Sequence, residues 1–136
     1  MDKTLNRQII INEAIAGILF GIFGAIPVIN VIALFSLFTL TNIFALRYYL
    51  VRNSEKLELK DSAILSAIGG FIAAFCACIV FIPVSLIFNV YGFYDLLNGV
   101  NILVLIFLSF FFSIICAMTN AFVGSILVYV YNAFKK

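Results

Sequence analysis

Residues 14–46 read AIAGILFGIFGAIPVINVIALFSLFTLTNIFAL, 33 positions without one charged side chain. A helix crosses about 30 Å of hydrocarbon with about 20 residues at 1.5 Å each, so the run is too long for one crossing and short of two. Ile9, Ile10 and Ile11 before it and Tyr48, Tyr49, Leu50 and Val51 after it widen the membrane-compatible stretch to about 43 positions. Pro27-Val28-Ile29-Asn30 stands near its middle. Proline removes a backbone donor and disfavours helix in the residue before it, and asparagine tolerates turn geometry. The tetrapeptide therefore reads as the turn of a tight helical hairpin, with spans at about 7–26 and 31–51.

Two more charge-free runs follow, 62–94 and 96–134. Over the whole chain of 136 residues, 65% are hydrophobic and 10% charged, against roughly 45–50% and 25% in an ordinary soluble domain. A water-soluble monomer is excluded. About twenty residues are left for aqueous segments, too few for an extramembrane domain, a nucleotide fold or a nucleic-acid surface. Asp61 suits the N-cap of a helix starting at Ser62, and the third span is expected to end at about Pro83. Val84 to Asn101 mixes Pro-flanking, Asn, Gly, Asp and Tyr positions and suits a segment lying in the interface. A fourth span, about 102–133, exceeds what the core requires and is expected to tilt or project. The expected fold is all-α: a single four-helix transmembrane domain over 1–136, built as two antiparallel hairpins.

Lys and Arg concentrate on the cytoplasmic side of short loops. With four spans, Lys3, Arg7, Arg47, Arg52, Lys56, Lys60, Lys135 and Lys136 all fall on the side of the termini, and the opposite side carries only Asp95. Both termini are expected in the cytoplasm, and an odd number of spans would misplace Lys135 and Lys136. Tyrosine prefers the headgroup level, and all six fall at expected span ends: Tyr48, Tyr49, Tyr129 and Tyr131 inside, Tyr91 and Tyr94 outside. Few apolar residues precede Ala14-Ile15-Ala16, so the first helix reads as a span rather than a cleaved signal.

Lipid tails are as apolar as leucine, so membrane helices associate through close backbone approach and scattered polar contacts. The first helix carries Ala14, Gly17, Gly21 and Gly24 at helical spacing. The third carries two neighbouring stripes, Ser62, Ser66, Gly69, Ala73 and Ala63, Ala67, Gly70, Ala74, Ala77; the fourth carries Ser113, Ala117, Asn120 and Gly124. Phe35, Phe38, Phe107, Phe110, Phe111 and Phe112 read as lipid-facing or gap-filling. Two stripes on one helix suggest that one is a contact with a second copy or a larger membrane complex. A weak internal echo also exists. Ile26-Pro27-Val28 matches Ile82-Pro83-Val84, and Leu40-Thr41-Asn42-Ile43-Phe44 matches Met118-Thr119-Asn120-Ala121-Phe122, at offsets that differ by 22 residues.

Glu13 is the one acidic residue well inside an expected span, and an intramembrane ionisable group is a functional candidate because its charge is costly there. It lies about 15 residues before the turn and Arg47 about 17 after it, which suggests an ion pair near the cytoplasmic interface. The competing role for Glu13 is proton or cation coupling. Asn42 and Asn120 lie in the middle of their spans and need partners, with Thr39 and Ser113 as cluster candidates. Cys76 and Cys78, two apart on a helix, point to nearly opposite sides, and with Cys116 they read as small apolar residues. Without histidine, a Cys-X-X-Cys motif or clustered carboxylates, no metal site, cofactor or hydrolytic centre is indicated. The loop from Arg52 to Asp61 is nearly balanced in charge and too short for nucleic acid, which leaves the lipid bilayer as its partner.

In size, in helix count and in Glu13 in the first helix, the chain resembles the small multidrug-resistance transporters. That likeness implies a coupling role for Glu13. It is one of architecture: the tryptophan of their third helix has no counterpart, and the chain has no tryptophan at all. The general look is that of a small four-helix protein of a prokaryotic cytoplasmic membrane. The leading expectation is a non-enzymatic oligomer or accessory subunit, and the alternative is a small proton- or cation-coupled transporter or channel component using Glu13.

Overall fold

The computed structural model describes residues 3–52, 58–92, 95 and 98–134, with side chains left out at 3–6, 44, 45, 47–52 and 91. Within these residues the chain is all-helical: α1 Lys3–Gly24, α2 Ile29–Arg52, α3 Leu59–Ile87 and α4 Ile102–Phe134, with a 3-10 turn at Val90–Gly92. α1 (over Arg7–Gly24), α3 and α4 are long and apolar enough to cross a membrane, and α2 carries a shorter apolar stretch, Ile29–Ile43. The distribution of polarity is that of a membrane protein. Ile, Leu and Phe side chains cover the outside, Phe35 being 70% and Phe107 68% exposed, while Glu13, Asn42, Asn120 and Ser66 are buried.

The helix ends differ from the sequence expectation for local reasons. The reversal after α1 occupies Ala25 to Val28, two residues earlier than the Pro27–Asn30 turn expected. Proline penalises helix in the residue before it, so the break falls ahead of Pro27. Ala25 N–H and Ile26 N–H take the carbonyls of Ile22 and Phe23 in a tightened last turn, and Asn30 joins α2 by donating to Ile26 O at 3.1 Å. Val28 sits in the left-handed region, φ 77°, an uncommon place for a β-branched residue.

α3 starts at Leu59, ahead of the expected Ser62. Glu58 is its cap residue without a side-chain cap bond, and Asp61 lies in the first turn, where a negative charge suits the helix dipole. The helix also runs past its expected end, because Pro83 lies inside it. A helix among other membrane helices tolerates proline where neighbours and local adjustment satisfy the freed groups. Asn89, at φ 44°, supplies the stop: its N–H bonds Leu86 O at 3.3 Å. The first four residues of the segment assigned to the interface are therefore not separate, since Val84 to Ile87 belong to α3. Asn101 caps α4, its Oδ1 accepting Leu103 N–H at 3.0 Å. Tyr129 and Tyr131 are exposed near the end of α4. Tyr94, Lys56, Lys135 and Lys136 lie outside the described residues, as do the side chains of Lys3, Arg47, Tyr48, Tyr49, Arg52 and Tyr91.

α3 touches all three other helices, whereas α1 and α4 do not meet among the described residues. Its two small-residue rows explain this. A Cβ on Gly17 would strike Ala73 O, one on Gly21 would lie 2.6 Å from Ala77 O, and one on Gly69 would lie 3.3 Å from Glu13 Cγ. These three contacts join positions a constant 56 residues apart, so α1 and α3 climb together. On the next face of α3, Gly70 meets Asn120 and Ser66 meets Gly124, so α4 descends past it. Ser62 belongs to this second row and donates to Gly124 O at 2.8 Å. The observed rows differ from the two stripes of the sequence, since Ala77 joins Gly69 and Ala73 against α1 while Ser62 and Ser66 join Gly70 against α4; both faces are thus used within one chain, and the stripes no longer call for a second copy. Leu37, Ala73, Ala74, Ala77 and Cys116 form the apolar centre, with Phe20, Phe38 and Phe112 packed on it. The rings of Phe38 and Phe112 meet edge to face at 5.9 Å, so these two fill gaps rather than face lipid.

Candidate functional site

The polar groups gather at one level of the bundle, where all four helices contribute. α1 places Glu13 against Gly69, a position without a side chain that leaves room for the carboxyl. α4 places Asn120 against the neighbouring Gly70, where a Cβ would lie 2.7 Å from Asn120 Cγ. α2 adds Thr41 and Asn42, and α3 adds Ser66. Each of these five side chains is at most 1% exposed.

Asn120 is the hub. Its Nδ2 donates to Cys116 O at 2.8 Å and to Leu37 O at 3.3 Å. Its Oδ1 accepts from Thr41 Oγ1 at 3.0 Å and from Asn42 Nδ2. Low dielectric strengthens such bonds and raises the cost of any group left out. Three buried atoms of this layer have no hydrogen-bond partner among the described residues: Glu13 Oε2, Asn42 Oδ1 and Ser66 Oγ.

Of the four residues expected in the polar cluster, the structure brings Asn42 and Asn120 together. Thr39 stays out, its hydroxyl returned to Phe35 O of its own helix at 2.9 Å. Ser113 is fully buried on the same face of α4 but donates to Ser109 O at 2.7 Å, two turns from Asn120. Thr41 and Ser66 are the members that sequence reasoning missed. The row Ala33, Leu37, Thr41, one turn apart, lies on the buried face of α2. Of the expected packing glycines, Gly17, Gly21, Gly69, Gly70 and Gly124 make tight contacts, while Gly24 has only the Phe81 ring at 3.4 Å.

The Glu13–Arg47 ion pair lies outside the described residues, because the Arg47 side chain is not among them. The earlier turn shifts the register on which that pair was expected. Counted from Gly24 and Ile29, Glu13 stands level with Leu40, and Arg47 lies seven residues, roughly 10 Å, further along α2.

No group of three His, Cys, Asp or Glu side chains suited to a metal exists among the described residues. Cys76, Cys78 and Cys116 are free thiols. A cavity of about 270 Å³ lies nearer the Ala25–Val28 end, lined by Phe20, Gly24, Asn30, Cys78, Phe81 and Phe112 among others, and Glu13, Asn42 and Asn120 are not part of its wall. Comparison with protein-family models, with curated proteins and with solved structures finds no match. The chemistry of this chain therefore rests on its own residues.

Proposed function

We propose that the chain is a multi-pass protein of a cell membrane, with four spans in two antiparallel hairpins and both termini in the cytoplasm, and that it acts as a small proton- or cation-coupled transport component centred on Glu13. The span count and direction rest on the charge pattern of the sequence, in which a four-span reading assigns all eight basic residues to the side of the termini and none to the other. The opposed contact rows of α3 and α4 support the second hairpin, and the short Ala25–Val28 link supports the first.

One observation carries the coupling role: Glu13 Oε2 is buried inside the bundle with no partner among the described residues. A carboxyl kept for packing alone is expected to be paired, since a buried charge without a partner costs several kcal/mol by order of magnitude. A carboxyl kept for coupling has to exchange a proton or an ion, and an unpartnered oxygen leaves it free to do so.

The test is ion flux in sealed proteoliposomes carrying a trapped pH-sensitive dye. An imposed proton, sodium or potassium gradient should move the dye signal faster with the wild type than with empty vesicles, and Glu13→Gln should abolish the difference. Wild-type vesicles no leakier than empty ones would overturn the reading.

A second reading has its own support. The backbone contact of Gly17 and Gly21 with α3 is too close to admit a water path there, as in a packing or accessory subunit working as a homo-oligomer or within a larger membrane complex. In that case Glu13→Gln changes stability and assembly, measured by detergent unfolding and cross-linking, and changes no flux.

A further inference from the structure

The hydrogen-bond pattern around Asn120 fixes the direction of the whole polar layer. Two backbone carbonyls, of Leu37 and Cys116, receive the Asn120 amide nitrogen and so decide which end of that amide is nitrogen. Asn120 Oδ1 then faces α2, where it takes Thr41 Oγ1 and Asn42 Nδ2. Asn42 has to present its nitrogen to this oxygen. Its own Oδ1 is left as a buried acceptor that needs a donor.

Glu13 Oε2 is a second buried acceptor without a donor. Glu13 and Asn42 lie two residues apart in height when counted from the turn between α1 and α2, about 3 Å along the helix axis. They are also linked through α3. Glu13 packs on Gly69, and Asn120, which holds Asn42, packs on the next residue, Gly70. Two buried acceptors from neighbouring helices at one level leave each other unsatisfied when both are bare, and each unmet group costs its desolvation. A single proton on Glu13 turns one of them into a donor and satisfies both.

We propose that Glu13 is held as a neutral acid whose Oε2–H donates to Asn42 Oδ1, closing a chain of hydrogen bonds from Glu13 through Asn42 and Asn120 to the Leu37 and Cys116 carbonyls. This rests on the reading of Glu13 as the working group and names what it binds: a proton. Hard divalent cations take about six to eight oxygen ligands, or a near-octahedral set. The layer offers two bare acceptors and the Ser66 hydroxyl. Besides Glu13, the charged groups on the surrounding helices are Lys3 and Arg7 on α1, Arg7 being exposed, Arg47 and Arg52 further along α2, and Lys60 and Asp61, exposed at the start of α3. The described part of α4 carries no charge.

Infrared spectroscopy of the full chain in lipid vesicles tests this. An acid carbonyl band at neutral pH should be present in the wild type, vanish in Glu13→Gln, and move to higher wavenumber in Asn42→Ala, where the acid loses its acceptor. If Asn42→Ala does not fold, the wild-type band alone decides, because a hydrogen-bonded acid absorbs below a free one. Carboxylate bands only at neutral pH, an acid band at the free-acid position, or a band unmoved by Asn42→Ala overturns the proposal. A hydrogen-bonded band in a protein without flux leaves the proposal standing and removes the transport reading. Flux lost in Glu13→Gln with a band unmoved by Asn42→Ala does the reverse.

Discussion

Asn42 gives its side-chain N–H to Asn120 Oδ1, tying α2 to α4 across 78 positions of sequence. Asn120 adds three further bonds, to Thr41, Leu37 O and Cys116 O, whereas among the described residues Asn42 shows this one and would add only the bond proposed from Glu13. Interhelical hydrogen bonds in membranes contribute about 0.6 kcal/mol on average and up to about 1.7. Asn120→Ala is therefore expected to destabilise the bundle by about 2 kcal/mol and Asn42→Ala by about 1 or less. Unfolding in mixed detergent ranks the two, and the opposite order would mean that Asn120 is not the hub.

Thr41 and Thr39 separate in the same experiment. Thr41 Oγ1 lies 3.0 Å from Asn120 Oδ1, and Thr39 bonds only its own helix. Thr41→Ala should cost about 1 kcal/mol and Thr39→Ala nothing beyond about 0.5. Equal effects would contradict the placement of α2.

Alanine at the glycines of α1 should divide them sharply. At Gly17 and Gly21 the new methyl meets the backbone carbonyls of Ala73 and Ala77, which yield only if the helices part. Overpacking of this kind costs about 1–3 kcal/mol. At Gly24 the nearest atom is a Phe81 ring carbon at 3.4 Å, ordinary contact distance, and alanine there should be neutral or gain up to about 1 kcal/mol from helix propensity. Thermal unfolding of the three variants in one detergent reads this directly.

Val28 holds φ 77° with its side chain 84% exposed, so it has strain and little packing to set against it. The left-handed region costs an L-residue about 1–2 kcal/mol, and glycine is free of that cost. Val28→Gly should raise stability by up to about 1 kcal/mol after the extra freedom of the unfolded chain is counted. A loss of stability would show that the turn adopts another conformation.

The sequence and the structure agree where physics is local and strong. Charge-free runs longer than one crossing, and a proline near the middle of the first, locate the helices because hydrocarbon admits little else. Asn120 was legible because an amide in that setting needs a partner. Pro83 was misread because a rule for helices in water does not carry over to a helix flanked by others. Thr41 and Thr39 point to nearly opposite sides of α2, and which side is buried depends on the rotation of the helix about its axis, which the scattered polar residues of α2 do not fix. The two rows of α3 were assigned to separate partners because nothing local says that α1 and α4 take one each. The two offsets of the internal echo, 56 and 78, equal the separations at which Gly17 meets Ala73 and Asn42 meets Asn120, which describes the register of the helices and does not test a duplication.

The most direct test of Glu13 as an unpaired, proton-bearing group is carbodiimide labelling at neutral pH in reconstituted protein, with Glu13→Gln as the blank and Arg47→Ala alongside. The reagent enters apolar sites and reacts with a protonated carboxyl. Labelling of Glu13 in the wild type, unchanged in Arg47→Ala, is the predicted result. A wild type that resists the reagent and becomes reactive once Arg47 is removed would mean an ion pair, and would contradict the account.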